Sequence, residues 1–482
     1  MQLAIRHSKF FITAPLLFVA AIIASVIWHD DYLLLIPFGY LLLPYSFQFL
    51  MHHAERLFWL LLALLPLSTE INITPSLGLD FPDEPIMMIL TGLALLRWWH
   101  QPHDFPQAVW RHPLFLLLMI HVLWIGITII YSEQPLLSIK FLLAKIWYII
   151  PFVILPSLWL NSIRNIEKMT LYLLTPMGAV ALITLLRHAM SGFSFESINR
   201  HLFPFFRNHV NYGAMLVCLL AVAYAAYQHT KQNKTYRKWI QIMLVIGIIA
   251  LIFSYSRGAW LALVGGLVTV LIIRKKMIGT LIISALLTVL ISTVWLSTDQ
   301  RYFRFAPDHD RTIFHTDFSQ HMSATIALKD VSNAERFYRW VAGARMFAER
   351  PLTGFGPSTF YSNYRPYTVK RFETWVSNNP EHSTVHNYFL LTALEQGLIG
   401  LLIFCSLYFL MLWRIQKIYH QLHSYFFRTV ALTTGAILAM IGIINFMSDM
   451  IETDKIGSLF WLCLGMVIVL EGKLKEEKES LA

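Results

Sequence analysis

Arg257 lies in Ser254-Tyr-Ser-Arg-Gly-Ala259, a connection of a few residues between two apolar blocks. Arg336 and Arg339 are three apart in ERFYRWVAGARMFAERP, so on a helix they share one side. His386, followed by Asn387, opens the apolar run HNYFLLTALEQGLIGLLIF. Arginine grips phosphate oxygens in a planar, bidentate fork and keeps its charge near lipid. Histidine, with an unperturbed pKa of about 6.5, can take a proton from a hydroxyl at neutral pH. Together these residue types suit transfer to a hydroxyl from a lipid-linked diphosphate, whose leaving group would sit at the water–membrane boundary. Each also has a plainer alternative. Arg336 and Arg339 could snorkel from an amphipathic helix, Arg257 could be an interfacial anchor, and a lone histidine could be structural. Glu395 follows His386 by nine residues, about half a turn away around a helix, so it cannot orient the ring directly. No HExxH motif is present, and no metal or cofactor is expected. Asp308, Asp310, Glu373 and Glu381 are scattered acids with a minor claim as ligands or bases.

The elements that hold these residues are membrane spans. The chain is 56% hydrophobic and only 14% charged, against about 25% charged in soluble domains. Its apolar residues fall into blocks long enough to cross a bilayer core, which takes about 17–25 residues per helix. Fourteen candidate spans are read, at 10–28, 32–50, 56–69, 85–99, 114–131, 138–160, 170–188, 210–228, 239–254, 258–273, 277–296, 386–412, 428–446 and 456–471. The first follows Arg6 and Lys9 and is read as an uncleaved span rather than a signal peptide. The predicted fold is all-α: a polytopic transmembrane bundle of about 12–14 spans, with one large outer loop containing amphipathic helices.

Charge sets the expected orientation. Lys231, Lys234, Arg237 and Lys238 share one loop, and Arg274, Lys275 and Lys276 another. The alternate loops near 29–31 and 70–84 have no Lys or Arg. The positive-inside rule then puts both termini in the cytoplasm and residues 297–385 outside. The net charge of +10 is thus read as membrane orientation, with no nucleic-acid partner. Cys218, Cys405 and Cys463 sit inside apolar blocks and read as buried hydrophobes. The chain divides into N-terminal spans (1–204), core spans with Arg257 (205–296), the outer loop (297–385), and C-terminal spans with a tail (386–482). In the loop, Ser332-Asn-Ala-Glu335 has capping-box form, predicting a helix over 333–350 with Phe337, Trp340, Val341, Ala344 and Phe347 on its apolar side. Pro351 ends it, Gly354-Phe-Gly356 makes a turn, and Gly397 and Gly400 suggest close helix packing.

SYSRGAW at 254–260, the stretch from Arg336 through PLTGFG at 351–356, and His386-Asn387 with Glu395-Gln-Gly397 and Gly400 occur in an order that resembles the O-antigen ligase/polymerase superfamily of bacterial membrane glycosyltransferases. The resemblance covers roughly residues 205–445. It implies metal-independent, inverting transfer of a glycan from undecaprenyl diphosphate in the outer leaflet of the inner membrane. By that similarity Arg257 and Arg336 match the arginines that hold the diphosphate. His386 matches the histidine that acts as base on the acceptor hydroxyl. Arg339, Arg207 and Asn387 are supporting candidates. The leading expectation is a ligase that moves O-antigen onto lipid A-core, followed by a repeat-unit polymerase and a protein O-oligosaccharyltransferase. A transporter of the same lipid-linked glycan would instead need ionisable residues at depth, for which Lys145 and Glu395 are the candidates.

Overall fold

A computed structural model describes residues 17–25, 27, 35–74, 77–230, 233–305, 331–374, 377–379 and 383–481. Asp308, Asp310 and Glu381 lie outside the described residues, as does part of the first expected span. The chain is a polytopic helical bundle, as expected where backbone groups in lipid must satisfy each other. In chain order its long helices are α1 (Leu35–Leu64), α2 (Asp83–His100), α3 (Pro113–Ile129), α4 (Pro135–Ile149), α5 (Ile163–Ala189), α6 (His209–His229), α7 (Lys234–Phe253), α8 (Arg257–Arg274), α9 (Ile278–Ser297), α10 (Val331–Glu349), α11 (Tyr388–Gln421), α12 (Tyr425–Phe446) and α13 (Asp454–Leu481). Among the described residues, nine of the helical segments are long and apolar enough to cross a membrane.

Two expected spans, 32–50 and 56–69, are not separate: α1 runs through both. The intervening Met51-His-His-Ala-Glu55 lowers hydropathy but contains no Gly or Pro to stop a helix. Glu55 there accepts a bond from Trp59 Nε1 at 2.9 Å. After α1 the chain forms an antiparallel hairpin, β1 (Thr69–Thr74) and β2 (Leu77–Phe81), with Thr69 opposite Phe81. Helix α4 continues through a wide turn at Ile150–Ile154 into Leu155–Trp159. Pro151 and Pro156 lack the N–H groups that a regular helix would use there.

The bundle is built around α12 and α13, which are 72% and 83% buried over their apolar windows, whereas α9 at the rim is 6% buried. Small residues let α8 and α12 approach closely: a β-carbon on Gly266 would collide with the Met440 side chain. Gly265 faces Ile443, and at the other end Gly435 faces Ile273, so the two helices run antiparallel.

The segment between α9 and α11 has a core of its own. Tyr338, Ala342 and Met346 of α10 are buried with Phe355, Phe360 and Phe372, against Leu391 and Leu394 of α11. The buried stripe of α10 is therefore Ala334-Tyr338-Ala342-Met346, rotated from the expected one, and Ala344 is exposed. The helix packs on α11 and on its own loop as well as on the bundle, which turns a different side inward. Ser332 is already helical in α10, and the Glu335 carboxylate accepts from Thr374 (2.5 Å) and Ser377 (2.6 Å).

Candidate active site

His386 stands just before α11. Its neighbour Asn387 is the N-cap, whose Oδ1 accepts from Leu390 N at 3.0 Å. The helix thus begins at Tyr388 rather than at His386. His386 takes a left-handed φ of +52°, uncommon for a residue with a β-carbon. That backbone turn leaves Val385, Asn387 and Tyr388 buried while the His386 side chain remains one-third exposed. The segment is held on all sides. Arg339 Nη1 donates to Thr384 O (3.2 Å) and Trp340 Nε1 to Val385 O (3.0 Å). Tyr388 N donates to Ser448 O (2.9 Å).

The residue facing His386 is Asp449, in the connection between α12 and α13, 63 positions later in the chain. Its Oδ1 is 3.8 Å from His386 Nδ1, and its Oδ2 accepts from Thr384 Oγ1 at 2.7 Å. Burial pushes the Asp449 carboxyl up, but His386 and Thr384 more than offset this, and its pKa lies below the ordinary aspartate value. An ionised carboxylate beside Nδ1 favours the tautomer with the proton there, leaving Nε2 to accept one. A separation of 3.8 Å exceeds a hydrogen bond, and such contacts commonly tighten on substrate binding. Helical spacing rules out Glu395 as the partner, but it does not reveal Asp449. The available signal was an aspartate at the same end of the bundle as His386, directly after an apolar span.

Arg257 is the first residue of α8 and is half-buried. The preceding turn is built by its own side chains: Ser254 Oγ donates to Leu251 O (2.7 Å) and accepts from Ser256 N (3.2 Å). Tyr255 takes a φ of +55°, and its hydroxyl donates to Phe193 O at 2.5 Å. This ties the turn to the 189–209 loop. A guanidinium at a helix N-terminus adds its charge to the unpaired N–H groups and positive dipole end there. Gly213 of α6 packs on the same turn, where a β-carbon would meet Ser256 Cβ at 2.6 Å. The start of α6 therefore lies beside Arg257. Arg207 is exposed, just before Asn208, the α6 cap.

Arg336 is half-buried, with Nη1 donating to Asn333 Oδ1 at 3.1 Å. Arg339 does not share its setting. It is 5% exposed, paired with Glu335 at 3.3 Å, and bonded to the segment that carries His386. Helix α10 lies across the start of α11 and the end of α12, with Gly343 against Leu394 and Val385, and the Trp340 ring 6.1 Å from Phe446. Gly265 faces Ile443, and Arg257 lies eight residues N-terminal of Gly265, about 12 Å along α8. Arg257, the α10 arginines, His386 and Asp449 thus all lie at one end of the bundle.

The remaining motif residues build an interlock. Helix α11 is broken at Gly397, with φ +70° and ψ −176°, and the Pro351–Gly356 turn enters the break. Phe355 N donates to Leu394 O (2.9 Å), Gly356 N to Glu395 O (2.9 Å), and Leu398 N to Pro351 O (2.7 Å). Trp124 Nε1 of α3 donates to the Gln396 carbonyl at 2.8 Å. The backbone groups freed by the break are thereby satisfied, as burial requires. The Glu395 carboxylate accepts from Ser358 N (2.9 Å) and Phe360 N (3.2 Å). Lys145 is likewise engaged, with Glu452. Both groups suggested for a transport path are taken up by intramolecular bonds. Gly397 serves contact with the Leu352 backbone rather than helix–helix packing, whereas Gly400 does face Trp124.

Residues 242–405 match the model of a family described as O-antigen ligase. The matched region runs from α7 into α11 and contains Arg257, Arg336, Arg339, His386, Asn387 and the interlock, but neither Arg207 nor Asp449. No curated protein matches the chain. Over the matched region, about a third of the chain, the match together with the order of SYSRGAW, the 351–356 turn and the His386–Gly397 stretch makes this multi-pass chain similar to the O-antigen ligase-like superfamily.

Proposed function

We propose that the protein is an O-antigen ligase of the bacterial inner membrane, transferring a finished glycan from undecaprenyl diphosphate to a hydroxyl of lipid A-core. The observation that carries this reading is His386 facing Asp449 at the same end of the bundle as Arg257 and the α10 arginines. The family match supports the same class of reaction. The loop charges support a periplasmic position for that end and a cytoplasmic one for the C-terminus.

In this scheme Arg257 and Arg336 hold the diphosphate oxygens. Asp449 keeps the His386 proton on Nδ1, and Nε2 takes the acceptor hydroxyl proton. The hydroxyl oxygen bonds to the anomeric carbon as the bond from that carbon to the phosphate oxygen breaks. The electron pair leaves on undecaprenyl diphosphate, whose charge the arginines neutralise. A single displacement inverts the anomeric configuration. No metal takes part in this scheme, because guanidinium groups supply the counter-charge. Arg339, Asn387 and Arg207 support it from outside: the first two hold the His386 segment, and the third extends the cationic surface beside Arg257.

The test is deletion of the gene followed by gel analysis of surface lipopolysaccharide. Bare core with accumulated lipid-linked polymer is the expected result. Core bearing a single repeat would point to a polymerase. Unchanged lipopolysaccharide with an unglycosylated secreted protein would point to an oligosaccharyltransferase.

A further inference from the structure

Lys145 lies ten residues into α4, about 15 Å along the helix from Pro135. It is 4% exposed, yet it carries a charge into an apolar setting, with Phe141 under its ammonium at 4.5 Å. A buried lysine in a membrane protein is costly, and such groups cluster at functional places. Its partner is Glu452, gripped through both oxygens at 2.9 and 3.0 Å. Glu452 ends the single turn Met450–Glu452, and its N–H donates to Asp449 O at 3.0 Å. The turn is pinned elsewhere by Ile451 N to Asn445 Oδ1 (3.0 Å) and by Tyr388 N to Ser448 O (2.9 Å). Both of those anchors come from the helices that flank the His386–Asp449 contact. Lys145 is the one that reaches in from α4, and it does so with a charge. A well-packed apolar pair would stabilise such a site as well or better, so stability alone does not account for the ion pair.

We propose that Lys145, by clamping Glu452, is a positioning residue that fixes the turn carrying Asp449 and thereby aims His386 at the acceptor hydroxyl. Lys145 touches neither substrate nor the reacting atoms. The 3.8 Å gap between His386 and Asp449 is where this placement acts, because a small shift of the 449–452 turn decides whether the two groups bond. The proposal rests on the reading of His386 as the base.

The experiment uses full-length protein in nanodiscs, with undecaprenyl diphosphate-linked O-antigen as donor and lipid A-core as acceptor. Lys145→Met is expected to lower kcat by about 10- to 100-fold, as a misplaced catalytic group does, while KM for the donor holds. Lys145→Arg, which keeps the charge, is expected to restore most of the rate. The decisive measurement is the pair with Asp449→Asn. If Lys145 acts through Asp449, the double variant is no slower than Asp449→Asn alone. Two losses that multiply would overturn the proposal, as would an unchanged kcat in Lys145→Met. Should Lys145→Met fail to insert, Lys145→Met/Glu452→Gln removes both charges together and carries the same comparison. His386→Ala separates the two readings. An inactive His386→Ala beside a fully active Lys145→Met refutes only the positioning role. A fully active His386→Ala refutes the base and the positioning role with it.

Discussion

Gly397 lies so close to Leu352 that a β-carbon on it would collide with the Leu352 carbonyl oxygen. That contact explains how a loop outside the spans is locked to a helix inside them. The break in α11 opens backbone groups, and the Pro351–Gly356 turn fills them. The turn is also braced against the α3–α4 connection, where Arg350 pairs with Glu133 at 2.9 Å, and against the first turn of α4, where Ser138 Oγ donates to Pro357 O at 2.7 Å. The 351–360 region is therefore a fixed support for α10 and the His386 segment.

Gly397→Ala tests the interlock. It adds a β-carbon where φ is +70° and the neighbouring backbone has no room. The expected cost is about 2 kcal/mol or more, read as a lower unfolding temperature in detergent and faster proteolysis near residues 351–356. Gly92→Ala is the control. It sits inside α2 with nothing within 4 Å of the added carbon, and is expected to stabilise by about 0.5 kcal/mol.

His386→Ala removes the proposed base. Transfer by protein that is still inserted should fall by about 10²–10⁴-fold. Asp449→Asn leaves the imidazole in place but removes the charge facing Nδ1, and should cost less than the loss of the ring. Rates per folded molecule in nanodiscs check both, and activity near wild type in His386→Ala would end the base assignment.

The Asp449 carboxyl also makes stability depend on pH in a fixed direction. Its folded pKa lies below the ordinary value of 3.8, because His386 and Thr384 outweigh burial. Its contribution is then fully present above 3.8 and is lost as pH falls below that value through the folded pKa. The gap in unfolding temperature between wild type and Asp449→Asn should hold at about pH 6 and shrink toward about pH 3. A gap that widens on acidification would contradict the sign.

Arg257→Ala and Arg257→Lys separate charge from geometry. If the guanidinium holds two diphosphate oxygens, lysine keeps the charge but loses the bidentate fork. Both variants should lose transfer, with lysine recovering only a minor part of the rate, as measured by donor turnover in the reconstituted assay. Full activity in Arg257→Lys would show that a point charge suffices at this position.

The class of molecule was legible in the chain before any folding was considered. Long apolar blocks must become helices, because lipid offers backbone groups no other partner, and short basic loops suggest an orientation. Arg257, Arg336 and His386 also stood out, since their residue types carry their chemistry wherever they sit. Their surroundings came from packing. Asp449 faces His386 across 63 residues of chain, a pairing that no local periodicity encodes. Arg336 and Arg339 share a helix, yet one is half-buried and the other sealed against Glu335, because α10 packs on α11 and on its own loop. Lys145 and Glu452 are brought together over 307 positions. The break at Gly397 was legible as a glycine but not as a socket, since its shape exists only when residues 351–356 fill it. Helix formation and membrane insertion are local and additive, whereas the site depends on which loops the packed helix ends bring together.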